Sequence, residues 1–167
     1  ISDFQIEGMS IGDSALDYYS EEEIIRFRTL NFKNNEFYTK SFKIESEVYD
    51  KLQLQFKQND KSYNIYGLAG IKFFTSNSNI EDCYNLKDSI VSDLSEFFSN
   101  YEISDQKTKR HASTIDMFTT PFHFSFNDGS KASVSCYDWS KESKSDYLEV
   151  RILSQEFIYW LDNKAHK

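Results

Sequence analysis

The feature that most limits what this chain can become is one amphipathic stretch, Ile80 to Phe98. Its apolar residues Cys83, Leu86, Ile90, Val91, Leu94, Phe97 and Phe98 fall on a single stripe at helical spacing. A helix with one apolar stripe must bury that stripe against another element. On both sides of this stretch the apolar pattern changes to period two. The spacing therefore predicts a long helix, capped by Asn79, lying on an antiparallel sheet.

Before the helix, a loosely alternating run over 37–44 reads as a strand. Leu52, Leu54 and Phe56 alternate with Lys51, Gln53 and Gln55, and Tyr63 and Ile65 alternate with Asn64 and Tyr66. A two-residue turn at Asn59–Asp60 would set Phe56 opposite Tyr63 and Leu54 opposite Ile65. Gly67 and Gly70 mark a bend or a close backbone approach. After the helix, Phe122, Phe124 and Phe126 share one face, and Ala132, Val134 and Cys136 share one face of the next strand. A three-residue loop, Asn127–Asp128–Gly129 with a left-handed glycine, pairs Phe124 with Ala132 and His123 with Ser133. Leu148, Val150 and Ile152 form a third inward-facing row.

The ends carry smaller elements. Phe4 to Met9 reads as a short strand. Asp13 or Ser14 caps a brief helix, and Ser20 with Glu23 makes a capping box for a second one. A final helix starts at Ser154, with Phe157, Ile158 and Leu161 inward and Trp160 on its flank. The chain is expected to be one α+β domain spanning residues 1–167. It should have an antiparallel sheet of five to six strands, one long central helix, and shorter terminal helices packed on one face.

Charge and composition narrow the function. The net charge is −8, and arginine occurs only at Arg26, Arg28, Arg110 and Arg151, which argues against a nucleic-acid partner. Lys107, Lys109, Arg110 and His111 read as a solvated loop. No apolar run approaches the roughly 18 residues a membrane span needs, so the expectation is a soluble protein without a transmembrane segment. The chain begins at Ile1, not Met; a removed signal peptide would account for that and would place it in the periplasm or outside the cell, with a cytoplasmic location the alternative. Cys83 and Cys136 are an even pair. They form either one disulfide or two buried thiols acting as small hydrophobes.

Catalytic and cofactor signatures do not emerge. There is no phosphate-binding glycine loop, no zinc spacing, no CxxC and no nucleophile elbow, so no cofactor and no metal are expected. A triad of His123, Ser133 and Asp138 meets the spacing, but strand parity puts Asp138 on the inner face. Glu149 on the next strand is the remaining acid, so a small hydrolase using His123, Ser133 and Glu149 is the alternative reading. The preferred one is a surface. The outer face of the last three strands carries His123, Ser133, Ser135, Tyr137, Tyr147, Glu149 and Arg151, with Trp139 just beyond. Tyrosine, tryptophan and arginine on a rigid sheet make good anchors for a protein or another extended ligand. Gln53, Gln55, Asn64 and Tyr66 extend the polar face on the first hairpin. The bland alternative is an ordinary solvated sheet face.

The stretch Ile6-Glu7-Gly8-Met9-Ser10-Ile11-Gly12-Asp13-Ser14, followed by Tyr19-Ser20-Glu21-Glu22-Glu23-Ile24, resembles the start of small exported bacterial proteins of unknown function. Cys136-Tyr137-Asp138-Trp139-Ser140 and Glu156-Phe157-Ile158-Tyr159-Trp160-Leu161 are similar to theirs as well. That resemblance implies an exported location and no activity. More loosely, Gly8-Met9-Ser10 before two short helices and a sheet resembles outer-membrane assembly lipoproteins and beta-lactamase-inhibitor-like domains. This implies protein binding, although their lipid-bearing Cys is not visible and the long central helix departs from their plan.

Overall fold

The computed structural model describes residues 4–30, 32–74, 80–98, 101–104, 107–110, 116–139 and 144–167. The helix cap expected at Asn79 and the His111 of the basic loop lie outside these residues. The fold is α+β, with one antiparallel sheet. Its strands are β1 (Phe37–Lys43), β2 (Lys51–Lys57), β3 (Gly67–Phe73), β4 (Tyr101–Ser104), β5 (Lys109–Arg110), β6 (Met117–Phe126), β7 (Lys131–Trp139) and β8 (Tyr147–Leu153). The helices are α1 (Glu21–Ile25), α2 (Ile80–Phe97) and α3 (Gln155–Asn163), and a short 3-10 turn spans Ala15–Asp17. The strand order is β1-β2-β3-β8-β7-β6-β4, with β5 also on β6.

Among the described residues eight strands replace the expected five to six. The two extra ones, β4 and β5, are too short to show a periodicity, and β5 holds the Lys109–Arg110 pair read as solvated loop. Three local expectations match the structure. Ser20 and Glu23 form the capping box: the Glu23 amide donates to Ser20 Oγ at 3.3 Å and the Ser20 amide to Glu23 Oε2 at 2.9 Å. Gly129 has φ 79°, the β6–β7 turn closes through Phe126 and Ser130, and His123 stands opposite Ser133.

The first hairpin is different. Leu54 pairs with Leu68 and Leu52 with Gly70, so no tight turn joins Asn59 and Asp60. Instead residues 58–66 form a broad connection. Asp60 accepts the amides of Ser62 and Asn64, while Asn59 (φ 65°) and Tyr63 (φ 49°) take the left-handed conformation. Ile65 and Tyr63 find their partners in the N-terminal segment: Ile65 donates to the Asp13 carbonyl at 2.9 Å and Ala15 to the Tyr63 carbonyl at 3.0 Å. The expected strand Phe4 to Met9 is a tight reversal in which Ile6 pairs with Met9 around Glu7 and Gly8. Gly70 does mark a close approach, since a Cβ there would meet the Tyr49 ring at 2.8 Å.

The sheet is covered on both faces, not one. The main core lies on the face carrying Leu52, Leu54, Phe56, Leu68, Val134, Cys136, Leu148, Val150 and Ile152, and α2 packs there through Cys83 and its partly buried neighbours. On this helix Phe97 is exposed, and Lys87 takes a buried place the apolar stripe did not include. The opposite face holds a smaller cluster of Phe37, Phe157, Trp160 and Ala165 under α3. Trp160 is at its centre, 1% exposed, not on the flank of the helix. This contact follows directly from Ser154, which ends β8 and caps α3 by accepting the Phe157 amide.

Cys83 and Cys136 are bonded, tying α2 to β7 across 53 residues. Both are essentially inaccessible. Closing a loop of that length removes about 4 kcal/mol of unfolded-state entropy. Replacing both cysteines with alanine should lower the unfolding free energy by up to about this amount, measured by urea titration with and without reductant. Equal stability of the oxidised, reduced and Cys-free proteins would show that the bond adds nothing.

Candidate functional site

The face opposite α2 splits into two unlike halves. Over β1 to β3 it is occupied by α3. There Gln55 is 5% exposed, the Tyr66 ring stands edge-on to Phe37, and Asn64 pairs with Ser14. Of the first-hairpin residues expected to extend the binding face, Gln55, Asn64 and Tyr66 are therefore covered or engaged, while Gln53 is half-buried and lines a small cavity of about 130 Å³ beside α3. Over β6, β7 and β8 the same face holds a cavity of about 340 Å³.

Strand register decides what lines that cavity. Opposed pairs put Pro121 beside Ser135 and Glu149 in one row, and His123 beside Ser133 and Arg151 in the next. Thr119 pairs with Tyr137 on one side and with Lys109 of β5 on the other. Sequence alternation located His123, Ser133, Ser135, Tyr137, Tyr147, Glu149 and Arg151 on this face, and the structure brings them together there. It missed Thr119, Pro121, Lys109 and Arg110. Thr119 and Pro121 could have been found by extending the parity of His123 back along β6; Lys109 carried no such signal.

The floor is an ion pair locked by a tyrosine. Glu149 is 4% exposed. Its Oε2 accepts from Arg151 Nη2 at 2.7 Å and its Oε1 from the Tyr137 hydroxyl at 3.1 Å. Burial works against the Arg151 charge, but Glu149 and Tyr137 beside it more than offset this, and the guanidinium pKa is raised. The Tyr137 ring stacks on Tyr147, with centroids 4.4 Å apart and planes 13° apart. Burial, then Glu149, pushes both phenols well above their ordinary range. Tyr137 thus belongs to the cavity wall, and Tyr147 braces it from β8. Trp139 is less available: Lys144 Nζ sits 3.8 Å above its ring.

Four other polar side chains, those of Thr119, His123, Ser133 and Ser135, have no hydrogen-bond partner among the described residues, although Thr119 is only 6% and Ser135 only 4% exposed. Burial, then Lys109 and Lys131, lowers the His123 pKa, so its imidazole is neutral at neutral pH. His123 faces Ser133, as a hydrolase would need, yet no acid hydrogen-bonds to the imidazole. Both Glu149 oxygens are taken, and Asp138 lies on the inner face opposite Phe118. Among the described residues no three His, Cys, Asp or Glu side chains converge to hold a metal.

A second concavity of about 370 Å³ lies near Glu21, Arg28, Tyr38 and Asp60. Its polar groups are largely spent on one another: Tyr63 donates to Glu21 at 2.5 Å, and Asp60 holds the turn. The β6–β8 cavity differs in keeping unpartnered groups. Among the described residues no helix is long and apolar enough to cross a membrane. No protein-family model matches this chain, and no curated protein matches it.

The raised phenols give a pH prediction. Tyr38 and Tyr49 are pushed up to about 12 by burial, followed by Tyr63 for the first and Glu7 for the second. Tyr137 and Tyr147 are raised further. The unfolded chain ionises its tyrosines near pH 10, so these four contribute stability below that pH which is lost as pH climbs toward their folded values. A spectrophotometric titration should show them resisting ionisation at pH 10 to 11, then ionising cooperatively with unfolding. All tyrosines titrating together near pH 10 in the folded protein would contradict their burial.

Proposed function

We propose that this chain is a non-catalytic, extracytoplasmic binding domain. It takes a protein or another extended ligand on the outer face of β6, β7 and β8, with the cavity there receiving the ligand's anchoring group. One observation carries the reading. A cavity on a rigid sheet is lined by Thr119, His123, Ser133 and Ser135, all without hydrogen-bond partners among the described residues, beside an arginine already fixed by Glu149. Hydroxyls that line such a cavity can bond water or a ligand group. Few convergent polar groups on a preformed surface are what ligand sites offer.

Two further observations support the rest of the proposal. Non-catalysis is favoured because Glu149, the acid that lines the cavity with His123 and Ser133, is held by Tyr137 and Arg151. An extracytoplasmic location is favoured by the buried disulfide, since such bonds persist mainly in oxidising compartments.

The test occupies the cavity without touching the core. Ser133 is half-buried on the outer face, so Ser133→Phe would project a ring into the cavity. A small-molecule fragment set would be titrated while the ring signals of the three histidines are followed. Expected are hits that shift His123 selectively and are lost in Ser133→Phe, whose melting temperature stays within roughly 4 °C of the parent, about 1 kcal/mol. Hits scattered over the surface, or unchanged by Ser133→Phe, would count against this face.

A further inference from the structure

The chemistry of the cavity says more than that it binds. Resting on the reading of this face as a binding site, we propose that the anchoring group is an oxyanion: a carboxylate, phosphoryl or sulfuryl group. Arg151, Lys109 and the hydroxyls of Thr119, Ser133 and Ser135 would hold it.

The donor inventory is the first reason. A guanidinium has five N–H groups in a fixed fork and no acceptor. Arg151 gives Nη2 to Glu149, while its Nε is buried with no protein partner. Its side chain remains 33% exposed and lines the cavity, against 5% for that of Glu149, so the arginine is the more accessible partner of the pair. The flanking residues in its row are Ala69 and Ser133, too short to cover it. Hydroxyls donate to an anion as readily as they accept, and three of them converge here beside the neutral His123.

Charge is the second reason. Glu149 is the carboxylate on the cavity wall, and Arg151 neutralises it. Lys109 lines the cavity, and Lys131 stands close enough to act on His123, which leaves an excess of positive charge. This occurs in a chain whose net charge is −8. A cationic ligand would meet that excess and find no open carboxylate. A purely apolar one would strand the hydroxyls. The volume, about 340 Å³, suits one terminal group with its attached fragment, not a polymer enclosed whole. Preorganisation also favours the assignment: Tyr137 fixes Glu149, Glu149 fixes Arg151, and an oriented arginine matches a planar or tetrahedral oxyanion through two parallel bonds.

The experiment uses the intact oxidised protein labelled with ¹⁵N. Acetate, inorganic phosphate and sulfate are titrated separately, with chloride balancing ionic strength, while the Arg151 Nε–H and His123 ring signals are followed. Acetamide serves as the uncharged control. Expected is a saturable shift of both signals with at least one anion and none with acetamide; the anion that binds tightest identifies the class. Arg151→Lys risks unfolding by stranding Glu149, so the inference is judged on two other variants. Ser135→Val should weaken binding by up to about tenfold, as losing one hydrogen bond would, and Lys109→Gln should weaken it and flatten its salt dependence. If no anion gives a saturable shift above millimolar concentration, or both variants bind like the parent, the oxyanion assignment is overturned. If acetamide or neutral fragments still shift His123, the binding face stands without it. If nothing shifts His123, the reading of this face falls as well.

Discussion

Two strands distant in sequence, β3 and β8, lie side by side in register from Gly67 against Leu153 to Phe73 against Tyr147. This pairing joins two three-stranded meanders into one sheet, and the remainder of the structure depends on it. Long-range pairing costs loop-closure entropy before any contact repays it. Here the return is burial on both faces: every residue from Gly67 to Ile71 is buried. On one face Leu68 and Gly70 lie with Ile152 and Val150 in the layer that α2 covers. On the other, Ala69 faces Arg151 and Ile71 faces Glu149. Without β3 the Glu149–Arg151 pair would stand at an open edge, where water would compete for both charges.

The two helical coverings explain why only part of the outer face is open. The disulfide from Cys83 to Cys136 pins α2 over the centre of the sheet. Helix α3 is short, begins immediately after β8, and is anchored by Trp160 against Phe37 at the β1 side. It therefore shields β1 to β3 and leaves β6 to β8 uncovered. An antiparallel sheet tolerates one wet region of this kind, provided its polar groups are satisfied by each other, by solvent or by a ligand. Glu149 is satisfied by Arg151 and Tyr137; the Arg151 Nε and the side chains of Thr119, His123, Ser133 and Ser135 have no partner among the described residues.

Legibility in the sequence tracked local physics. The second meander could be read because its apolar residues alternate cleanly and its turn has one glycine that can take φ 79°. That fixed His123 opposite Ser133 and sent Asp138 to the far side, as found. The capping box at Ser20 could be read for the same reason: both of its hydrogen bonds lie within three residues. The first hairpin could not. In Gly67-Leu68-Ala69-Gly70-Ile71 the alternation is erased by burial on both faces, so the pattern favoured Tyr63 and Ile65 as the strand instead. Those residues bury their side chains in the main core while their backbones pair with Asp13 and Ala15, a contact that no spacing announces.

By itself, then, the sequence determined the α+β class, the long helix, the register of β6 against β7 and most of the outer face of the last three strands, because periodicity, capping and turn chemistry act over a few residues. The tertiary structure alone decided that β3 meets β8, that α3 covers one half of that face, and that Lys109 joins the cavity. It also decided that Glu149 is spent on Tyr137 and Arg151 rather than offered to His123. Those outcomes depend on which distant surfaces exclude water together, and that competition among long-range contacts leaves no local trace in the order of residues.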